Sequence, residues 1–569
     1  MKLKFRNIFT IAVVLFCIII VFIVLSKSAK SSQRNSFELS ESDFSVVSDE
    51  ASESYKQTHL FQRVESLIQK LEALEDNNYR IRSILRRVNL VTKNVNQLNL
   101  EKESSEGVPE LVEVRPPIPY EETRRILEIH LKEIWYTLRS LEDHIPAQNF
   151  TQLQDIYRVL RSHVINLRAN DGYELFRQKE TTELANLVQG RIKLLQNPVN
   201  CDTARKAVCK LNKPCGFGCQ IHHVGYCLIH AYATGRTLIL ETEFWKYDSA
   251  GWNHVFLPVS DTCTDSGKNQ PQHADVIEIP YVDSITTLPN HLPVSIPADI
   301  CRRLERVHGE PHIWWVGQFI RYLLRLQPSF QNEIKEYVEK LRFQSPTVGI
   351  HVRRTDKITY EASFHSLEEY MVHAREYFDI QEKVRGQIIR NVFIASDDPA
   401  VISEAKTNYS KPGWRILGSM EVARTAKSER YGLSGLIGVL KDVFVLAECD
   451  FLICTFSSQI CRLAYELVQA KHADASGRFV SLDSIYYYGG GNSVIEVAVI
   501  AHTPRDPQEI ELRLMDNIHV DGNHWNGMSK GMNLRTYKRG FYPSYKTRNL
   551  VQRVAFPKAK WWLGPSETK

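Results

Sequence analysis

Two adjacent arginines, Arg353 and Arg354, are the residues whose types and spacing point most directly to chemistry. They follow a short apolar segment, residues 347–352, and Lys357 comes three residues later. Guanidinium groups bind phosphate oxygens bidentately and an ammonium adds a point charge, so this cluster could hold a diphosphate. Because no glycine-rich phosphate loop accompanies a predicted strand, side chains would have to do the binding. The alternative is a surface cluster neutralised by Asp356 and Glu361.

Further polar residues follow other predicted strands in the same way. Strands are predicted at residues 237–240, 348–352, 392–395 and 451–455, alternating with helical patterns at 315–326, 367–377, 436–447 and 460–469. This alternation predicts an α/β fold with a parallel sheet covered on both faces. Ligands bind outside the carboxyl ends of such strands, where His351, Asp397, Asp398, Ser458 and Gln459 stand. Their convergence favours a ligand site over a neutralised surface cluster.

The cysteines indicate an oxidising compartment. Six fall within 63 residues: Cys201, Cys209, Cys215, Cys219, Cys227 and Cys263. Such density is typical of a disulfide-linked region, and the fifteen possible pairings stay open at this point. The alternative is a zinc site, because Cys215, Cys219, His222 and His223 have suitable ligand types.

The N-terminal segment predicts a membrane anchor. Residues 8–25 carry no charge and are just long enough to span a bilayer, whereas a cleavable signal peptide would have a shorter core. Seven residues precede this run and more than 540 follow it, so translocation of the bulk of the chain is the simpler arrangement. The formal net charge of +5, spread over 137 charged residues, gives no indication of nucleic-acid binding.

The two segments after the predicted anchor differ in composition and periodicity. Residues 26–58 are rich in serine and glutamate and predict a flexible stem. From residue 60 a heptad pattern predicts a coiled coil and a homodimer, with an ordinary surface helix as the alternative. Pro109 and the segment Pro-Pro-Ile-Pro at 116–119 end it, and helical periodicity resumes at residues 126–141 and 157–167. The heptad positions are Leu60, Leu67, Leu74, Ile81, Val88 and Val95.

The last 70 residues predict short strands separated by turns, as in a small barrel. The predicted strands cover residues 497–502, 510–514, 518–520, 524–527, 540–543 and 545–549. Their spacing resembles an SH3 domain, but the tyrosines expected in the opening strand are replaced by Ile500, Ala501 and His502. The usual proline-peptide groove is therefore not expected.

Together these parts resemble the eukaryotic core α1,6-fucosyltransferases, which fucosylate the innermost GlcNAc of N-glycans in the Golgi. The most specific stretches are Pro-Cys-Gly-Phe-Gly-Cys-Gln-Ile-His-His at 214–223, Gly-Ile-His-Val-Arg-Arg-Thr-Asp-Lys at 349–357 and Cys-Thr-Phe-Ser-Ser-Gln-Ile-Cys at 454–461. The resemblance implies a cytoplasmic tail at 1–7, an anchor at 8–25, a stem at 26–58 and a coiled-coil and helical region at 59–196. It also implies a GT-B-like catalytic region with a Rossmann-type parallel sheet at 201–495, followed by an SH3-like β-barrel at 496–560.

The same resemblance assigns roles to individual residues. It implies that Arg353 and Arg354 stabilise the leaving diphosphate, that Asp397 and Asp398 are needed for activity, and that Glu361 is the general base. GDP-fucose would lie against Tyr247, His351, Arg353, Arg354, Lys357, Asp442 and Ser458. The glycan acceptor would contact Lys213, Asp283, Gln459, Asp483, His524 and Lys530. Disulfides would join Cys201 to Cys263, Cys209 to Cys227, Cys215 to Cys219 and Cys454 to Cys461, leaving Cys17, Cys301 and Cys449.

Two departures concern the acceptor side, where Ser484 and Gly491 replace an acidic residue and a glutamine. For Glu361, the alternative role is a salt bridge to Lys357. Adjacent strand-end residues point to opposite faces, so Asp397 and Asp398 are not expected to hold one ion. Arginines can supply the same electrostatic stabilisation, and we therefore predict transfer without a metal or other cofactor. The alternative functions are protein O-fucosylation and a luminal lectin or adaptor without catalysis.

Overall fold

The computed structural model describes residues 115–243, 245–267, 275–285, 289, 295–356, 362–488, 494–522 and 526–556. The predicted anchor, the stem and the heptad segment lie outside these residues. None of the helices in the described part of the chain combines the length and the apolar character needed to cross a membrane.

A helical region opens the described part of the chain. It contains helices α1 (Ile118–Leu141), α2 (Ala147–Ala169) and α3 (Glu174–Gln196). Pro117 immediately precedes α1. Proline cannot continue a helix, but it is tolerated at a helix start, where its missing N–H costs no hydrogen bond. The periodic residues of the sequence form the buried face of these helices, including Leu127, Leu131 and Leu138. The predicted helical patterns at residues 126–141 and 157–167 are therefore confirmed.

The first α/β half contains a small parallel sheet. In chain order its elements are β1 (Lys206–Lys210), α4 (Phe217–Thr234), β2 (Thr237–Glu241), α5 (Trp252–Val255), β3 (Val276–Glu278), β4 (Ser295–Pro297), α6 (Ala298–Val307), α7 (Pro311–Leu323) and α8 (Pro328–Leu341). Within the described residues the sheet has the order β2-β1-β3. Helix α4 is buried along almost its whole length, which explains its nearly continuous apolar sequence.

The second half is a larger parallel sheet. Its elements are β5 (Thr347–Val352), α9 (Leu367–Arg385), β6 (Arg390–Ser396), α10 (Pro399–Tyr409), β7 (Trp414–Leu417), α11 (Met420–Ser428), α12 (Leu433–Glu448), β8 (Phe451–Cys454), α13 (Gln459–Lys471) and β9 (Phe479–Ser481). The strand order among the described residues is β7-β6-β5-β8-β9. The chain therefore moves outward from β5 and then returns to β8 on its other side. This reversal is the switch point at which such sheets bind ligands.

Both faces of this sheet are covered, as the sequence predicted. Val348, Ile350 and Val352 point to the face covered by α9, because alternate residues of a strand share a face. Gly349 points to the other face, where a Cβ atom would come within 2.8 Å of the Cys449 sulfur. The α/β fold with parallel sheets is therefore confirmed.

The C-terminal region is an antiparallel sheet. It contains β10 (Ile495–Ala498), β11 (Asn517–Val520), β12 (Met528–Asn533), β13 (Arg539–Pro543) and β14 (Thr547–Asn549), and it is followed by β15 (Gln552–Val554). The pairing order is β13-β12-β11-β10-β14, and within the described residues β13 and β14 do not pair with each other. The described strands therefore form an antiparallel sheet without closing into a barrel, and the SH3-like barrel stays a prediction. Strand β15 pairs instead with β4 of the first half.

Candidate functional site

The two arginines leave β5 at its carboxyl end, where the chain turns sharply. Thr355 has a φ of 52°, in the left-handed region. The Arg353 side chain is 13% exposed and its Nη1 donates to the Thr355 hydroxyl at 2.6 Å. The Arg354 guanidinium lies 4.2 Å from the centre of the exposed Phe364 ring. The turn therefore presents two cations side by side at the mouth of the sheet.

Asp397, at the end of the neighbouring strand β6, holds this turn in place. Its carboxylate accepts from the Arg354 backbone N–H at 2.7 Å and from the Thr355 hydroxyl at 2.5 Å, and it forms an ion pair with Arg353. Asp398 has other hydrogen-bond and ion-pair partners. It accepts from the Ala400 N–H at 3.2 Å and so caps α10, and it lies 3.4 Å from Lys427. The two carboxylates thus have separate partners, as their adjacent positions predicted.

His351 precedes the arginines on the same face as Arg353. Burial and then the positive charge of Arg353 lower the pKa of His351 to about 3, so its imidazole is neutral near pH 7. Its Nδ1 is buried and has no hydrogen-bond partner among the described residues. Asp442 lies on α12 and is buried. One helical turn separates Asp442 from Leu446, which packs at Gly349, two residues before His351. Burial raises the pKa of Asp442 well above its usual range.

The neighbouring strand β8 leads into α13 through the short segment at residues 455–458. Ser458 is the residue before α13, and it is buried. Asp483 accepts from the Ser457 N–H at 3.3 Å. Within the part of the chain that the structure describes, three buried polar atoms here have no hydrogen-bond partner: Ser457 Oγ, Gln459 Oε1 and Asp483 Oδ2. Buried polar atoms are normally paired, so this group beside a helix N-terminus is suited to a polar ligand.

The first half approaches this point through α4. A Cβ atom on Gly218 would lie 2.8 Å from the Gln459 Cβ, so only glycine allows the two helix starts to meet so closely. Just before α4, Lys213 forms an ion pair with Asp283. Gln220 donates to the Lys213 carbonyl at 2.8 Å. Lys213 and Asp283, predicted together on the acceptor side, are therefore in direct contact.

Tyr247 is also part of the first half. Its ring packs 5.8 Å from Phe217 and 5.7 Å from Tyr431, between centroids, and burial raises its pKa to about 12. Lys530 lies on β12, with its ammonium 5.8 Å from the Phe541 ring centre. Lys357, Glu361, His524 and Gly491 lie outside the described residues, so their roles stay predictions.

Sequence reasoning missed Arg430. This residue stands between α11 and α12, and its Nη1 is 2.7 Å from Asp356 Oδ2. A Cβ atom on Gly216 would lie 3.3 Å from its Nη2, so Arg430 also reaches the first half. Arg430 belongs to no recognisable sequence motif. Its role could have been suspected only because it is a cation shortly before the helix that carries Asp442.

The disulfides agree with the pairing that the resemblance implied. Among the described cysteines, Cys201 is bonded to Cys263, Cys209 to Cys227, Cys215 to Cys219 and Cys454 to Cys461, while Cys301 and Cys449 are free and buried. The zinc alternative is therefore wrong, because bonded Cys215 and Cys219 offer no thiolate. His223 lies 3.7 Å from the Cys209 sulfur and 3.8 Å from the Cys227 sulfur, and these sulfurs are likewise bonded to each other.

Comparison with known proteins supports the resemblance. Residues 1–487 match the family model described as alpha-(1,6)-fucosyltransferase N- and catalytic domains. The chain is 45% identical over 475 residues to an alpha-(1,6)-fucosyltransferase of Drosophila melanogaster, covering 79% of this chain and 76% of the relative. It is 38% identical over 453 residues to an alpha-(1,6)-fucosyltransferase of Caenorhabditis elegans, covering 77% and 80%.

The solved structures are less similar to this chain than the two animal relatives are. The fucosyltransferase NodZ from Bradyrhizobium is 16% identical, and the match covers 46% of this chain and 92% of that chain with a TM-score of 0.27. A superposition of this quality adds nothing to the assignment. The family model and the two animal relatives decide it: this chain belongs to the alpha-(1,6)-fucosyltransferase family.

Proposed function

We propose that this protein transfers L-fucose from GDP-β-L-fucose to O6 of the innermost GlcNAc of N-glycans, with inversion at the anomeric carbon. Family membership supports the reaction class, since both animal relatives are alpha-(1,6)-fucosyltransferases. The single observation that carries the proposal is the pair Arg353 and Arg354 at the switch point, beside the N-terminus of α13. This placement suits a diphosphate that is also the leaving group.

The departing diphosphate gains negative charge in the transition state. Fixed cations and helix N-termini stabilise such charge because they need no reorganisation at the moment of reaction. Arg353 is the main contact in this proposal, since Asp397 and Thr355 already fix its guanidinium. His351 and Asp442 would line the nucleotide side, with Tyr247, Ser458 and Lys357 as further donor contacts.

Transfer without a metal is part of the proposal. Asp397 is engaged by the arginine turn and Asp398 by the start of α10, so neither carboxylate is placed to share an ion with the other. Two guanidinium groups supply positive charge at the same edge of the sheet. We therefore assign Asp397 the role of positioning Arg353 and Arg354.

The acceptor hydroxyl must lose a proton, and Glu361 is the proposed general base. The glycan would contact the Lys213–Asp283 pair, Gln459 and Asp483, with His524 and Lys530 contributed by the C-terminal region. Ser484 is buried beside Asp483, and its N–H donates to that carboxylate at 2.5 Å. Ser484 stands where the family has an acidic residue, and this change would thus affect acceptor binding through Asp483.

The cellular compartment of the protein is also part of the proposal. Four disulfides among the described residues are typical of an oxidising lumen. Together with the apolar run at residues 8–25, they support a single-pass type II protein of the Golgi membrane with a luminal catalytic region. The heptad segment supports a homodimer, which sedimentation of the detergent-solubilised chain would test.

The decisive assay uses the full-length protein in detergent, GDP-fucose, EDTA and a GlcNAc-terminated biantennary N-glycopeptide. The expected product carries one α1,6-linked fucose on the innermost GlcNAc, as identified by mass spectrometry and linkage analysis. An EGF-like domain is the parallel acceptor and should stay unmodified. Fucosylation of that domain instead would favour protein O-fucosylation, and no transfer to either would favour a lectin or adaptor.

A further inference from the structure

Asp356 lies between two guanidinium groups that come from different parts of the chain. Its Oδ1 is 2.5 Å from Arg353 Nη2, and its Oδ2 is 2.7 Å from Arg430 Nη1. The Thr355 hydroxyl oxygen lies 2.9 Å from Oδ1. The carboxylate is therefore shared by two cations, each holding one oxygen.

This arrangement matches what a phosphate group would require. A phosphate, like a carboxylate, offers several oxygens that separate guanidinium groups can bind at the same time. Asp356 is half-exposed and Arg430 is about a third exposed, so an anion from solvent can reach both. Burial alone would raise the pKa of Asp356, but Arg430 and Arg353 outweigh it and hold the pKa well below its usual range. The pocket between the two arginines thus stabilises negative charge.

The position of Arg430 also fits a donor contact. The next residue, Tyr431, packs 5.7 Å from Tyr247, which the family resemblance places at the nucleotide. The Arg430 guanidinium lies close to Gly216, just before α4 of the first half. Arg430 therefore connects the arginine turn of the second half with the nucleotide side of the first half.

We propose that Arg430 is a third guanidinium of the donor site, and that Asp356 occupies the position that a donor phosphate takes on binding. The inference rests on the proposed function, because it identifies the anion as the diphosphate of a nucleotide sugar. Asp356 then swings away from Arg353 and Arg430 when the donor binds, and both arginines turn to the phosphate oxygens.

Calorimetric titration of GDP into the full-length protein in detergent tests this inference. Arg430→Gln should weaken GDP binding by about tenfold or more, which corresponds to the loss of one charge-assisted hydrogen bond. Arg430→Lys should recover part of that loss. The matched control is Arg424→Gln, which removes the same charge from an exposed position on α11 and should bind GDP as the wild type does. Thermal unfolding confirms that each variant is folded.

Asp356→Asn tests the second half of the inference. Without a carboxylate to displace, this variant should bind GDP at least as tightly as the wild type. Weaker binding by Asp356→Asn would overturn the placeholder role, and unchanged binding by Arg430→Gln would overturn the role of Arg430, with the proposed function intact in both cases. Failure of the wild type itself to bind GDP would overturn the proposed function as well.

Discussion

At the scale of single residues, the site is a set of cations held in place by their own carboxylates. Asp397 fixes the turn that carries Arg353 and Arg354, and Asp356 connects Arg353 to Arg430. Long side chains lose rotamer freedom when they bind a ligand, so this fixation in advance lowers the entropy cost of holding a diphosphate. Asp397 therefore contributes to function by positioning Arg353 and Arg354.

Replacing Arg353 by alanine should lower kcat by about 10² to 10³, the usual effect of removing one donor to a developing negative charge. Steady-state kinetics with GDP-fucose and the glycopeptide acceptor measure the change. An unaltered Tm would show that the loss is chemical. Near-normal turnover would contradict the assignment of Arg353 as the main diphosphate contact.

Glu361→Gln should abolish transfer while leaving GDP affinity close to that of the wild type, because an amide cannot accept the acceptor proton. Single-turnover transfer and GDP titration on the same preparation separate the two effects. The opposite pattern, with weakened GDP binding and retained transfer, would instead favour the structural salt bridge to Lys357.

Much of the donor side could be predicted from the sequence, because His351 lies near the end of β5, and Arg353 and Asp397 directly follow β5 and β6. Parallel strands end at one edge of a sheet, so sequence position alone brings these residues together. Arg430 could not be predicted in this way. It is 74 residues from Asp356 and follows a helix, so its place depends on how α11 and α12 pack against the sheet.

At the scale of elements, α13 connects the site with the core. It begins at Ser458 and Gln459 and then packs against α7 of the first half. Inside this contact Glu466 pairs with His222 at 3.0 Å and accepts from the Tyr486 hydroxyl at 2.6 Å. Gly317 allows the close approach, since its Cβ would lie 2.3 Å from the Glu466 carbonyl oxygen and 2.8 Å from the Ala470 Cβ.

Gly317→Ala should therefore destabilise the protein by roughly 1–3 kcal/mol, the usual cost of overpacking a core. The matched control is Gly190→Ala on α3, where no atom lies within 4 Å of the new Cβ. That variant should gain about 0.5–1 kcal/mol, because alanine favours a helix over glycine. Chemical denaturation measures both, and equal effects would contradict the packing described for α7 and α13.

In the second half the sequence predicted the three central strands and the helices α9, α12 and α13, because their apolar patterns are uninterrupted, but it did not predict α10, β7, α11 or β9. Helix α4 was not predicted, because it is buried on nearly all sides and its sequence therefore lacks the polar face that marks an amphipathic helix. In the C-terminal region, strands were correctly predicted near β10, β11, β13 and β14, whereas residues 510–514 form no strand and β12 was not predicted. Local alternation indicates strands, but whether the outer two pair with each other depends on the twist and length of the whole sheet.

At the scale of the whole molecule, buried charges join the helical region to the catalytic halves. Arg124 on α1 lies 3.1 Å from Asp474, which follows α13, and both side chains are 1% exposed. Burial alone would raise the pKa of Asp474, but Arg168 and Arg124 outweigh it and hold that pKa well below its usual range. The far end of the helix that begins at the site is thereby tied to α1.

Asp474→Asn should destabilise the protein by about 1–3 kcal/mol near pH 7, since it removes one of the three carboxylates that pair with the buried Arg124. The depressed pKa belongs to the folded state, so this stabilisation is complete above the unfolded pKa of about 4. It is lost as pH falls through the lower, folded pKa. Denaturation at several pH values should show the difference between wild type and variant shrinking in acid.

The control for this experiment is Asp202→Asn, at an exposed position, which should change the free energy of unfolding by less than about 0.5 kcal/mol. A difference between wild type and Asp474→Asn that stays constant down to low pH would contradict the ionic role of Asp474.

The position of the diphosphate tests the central claim most directly. A crystal structure of the complex with GDP should show its β-phosphate hydrogen-bonded to the Arg353 guanidinium, at about 2.7–2.9 Å, outside the carboxyl ends of β5 and β8. A diphosphate bound elsewhere, with Arg353 and Arg354 still paired only to Asp397, Asp356 and Phe364, would contradict the account.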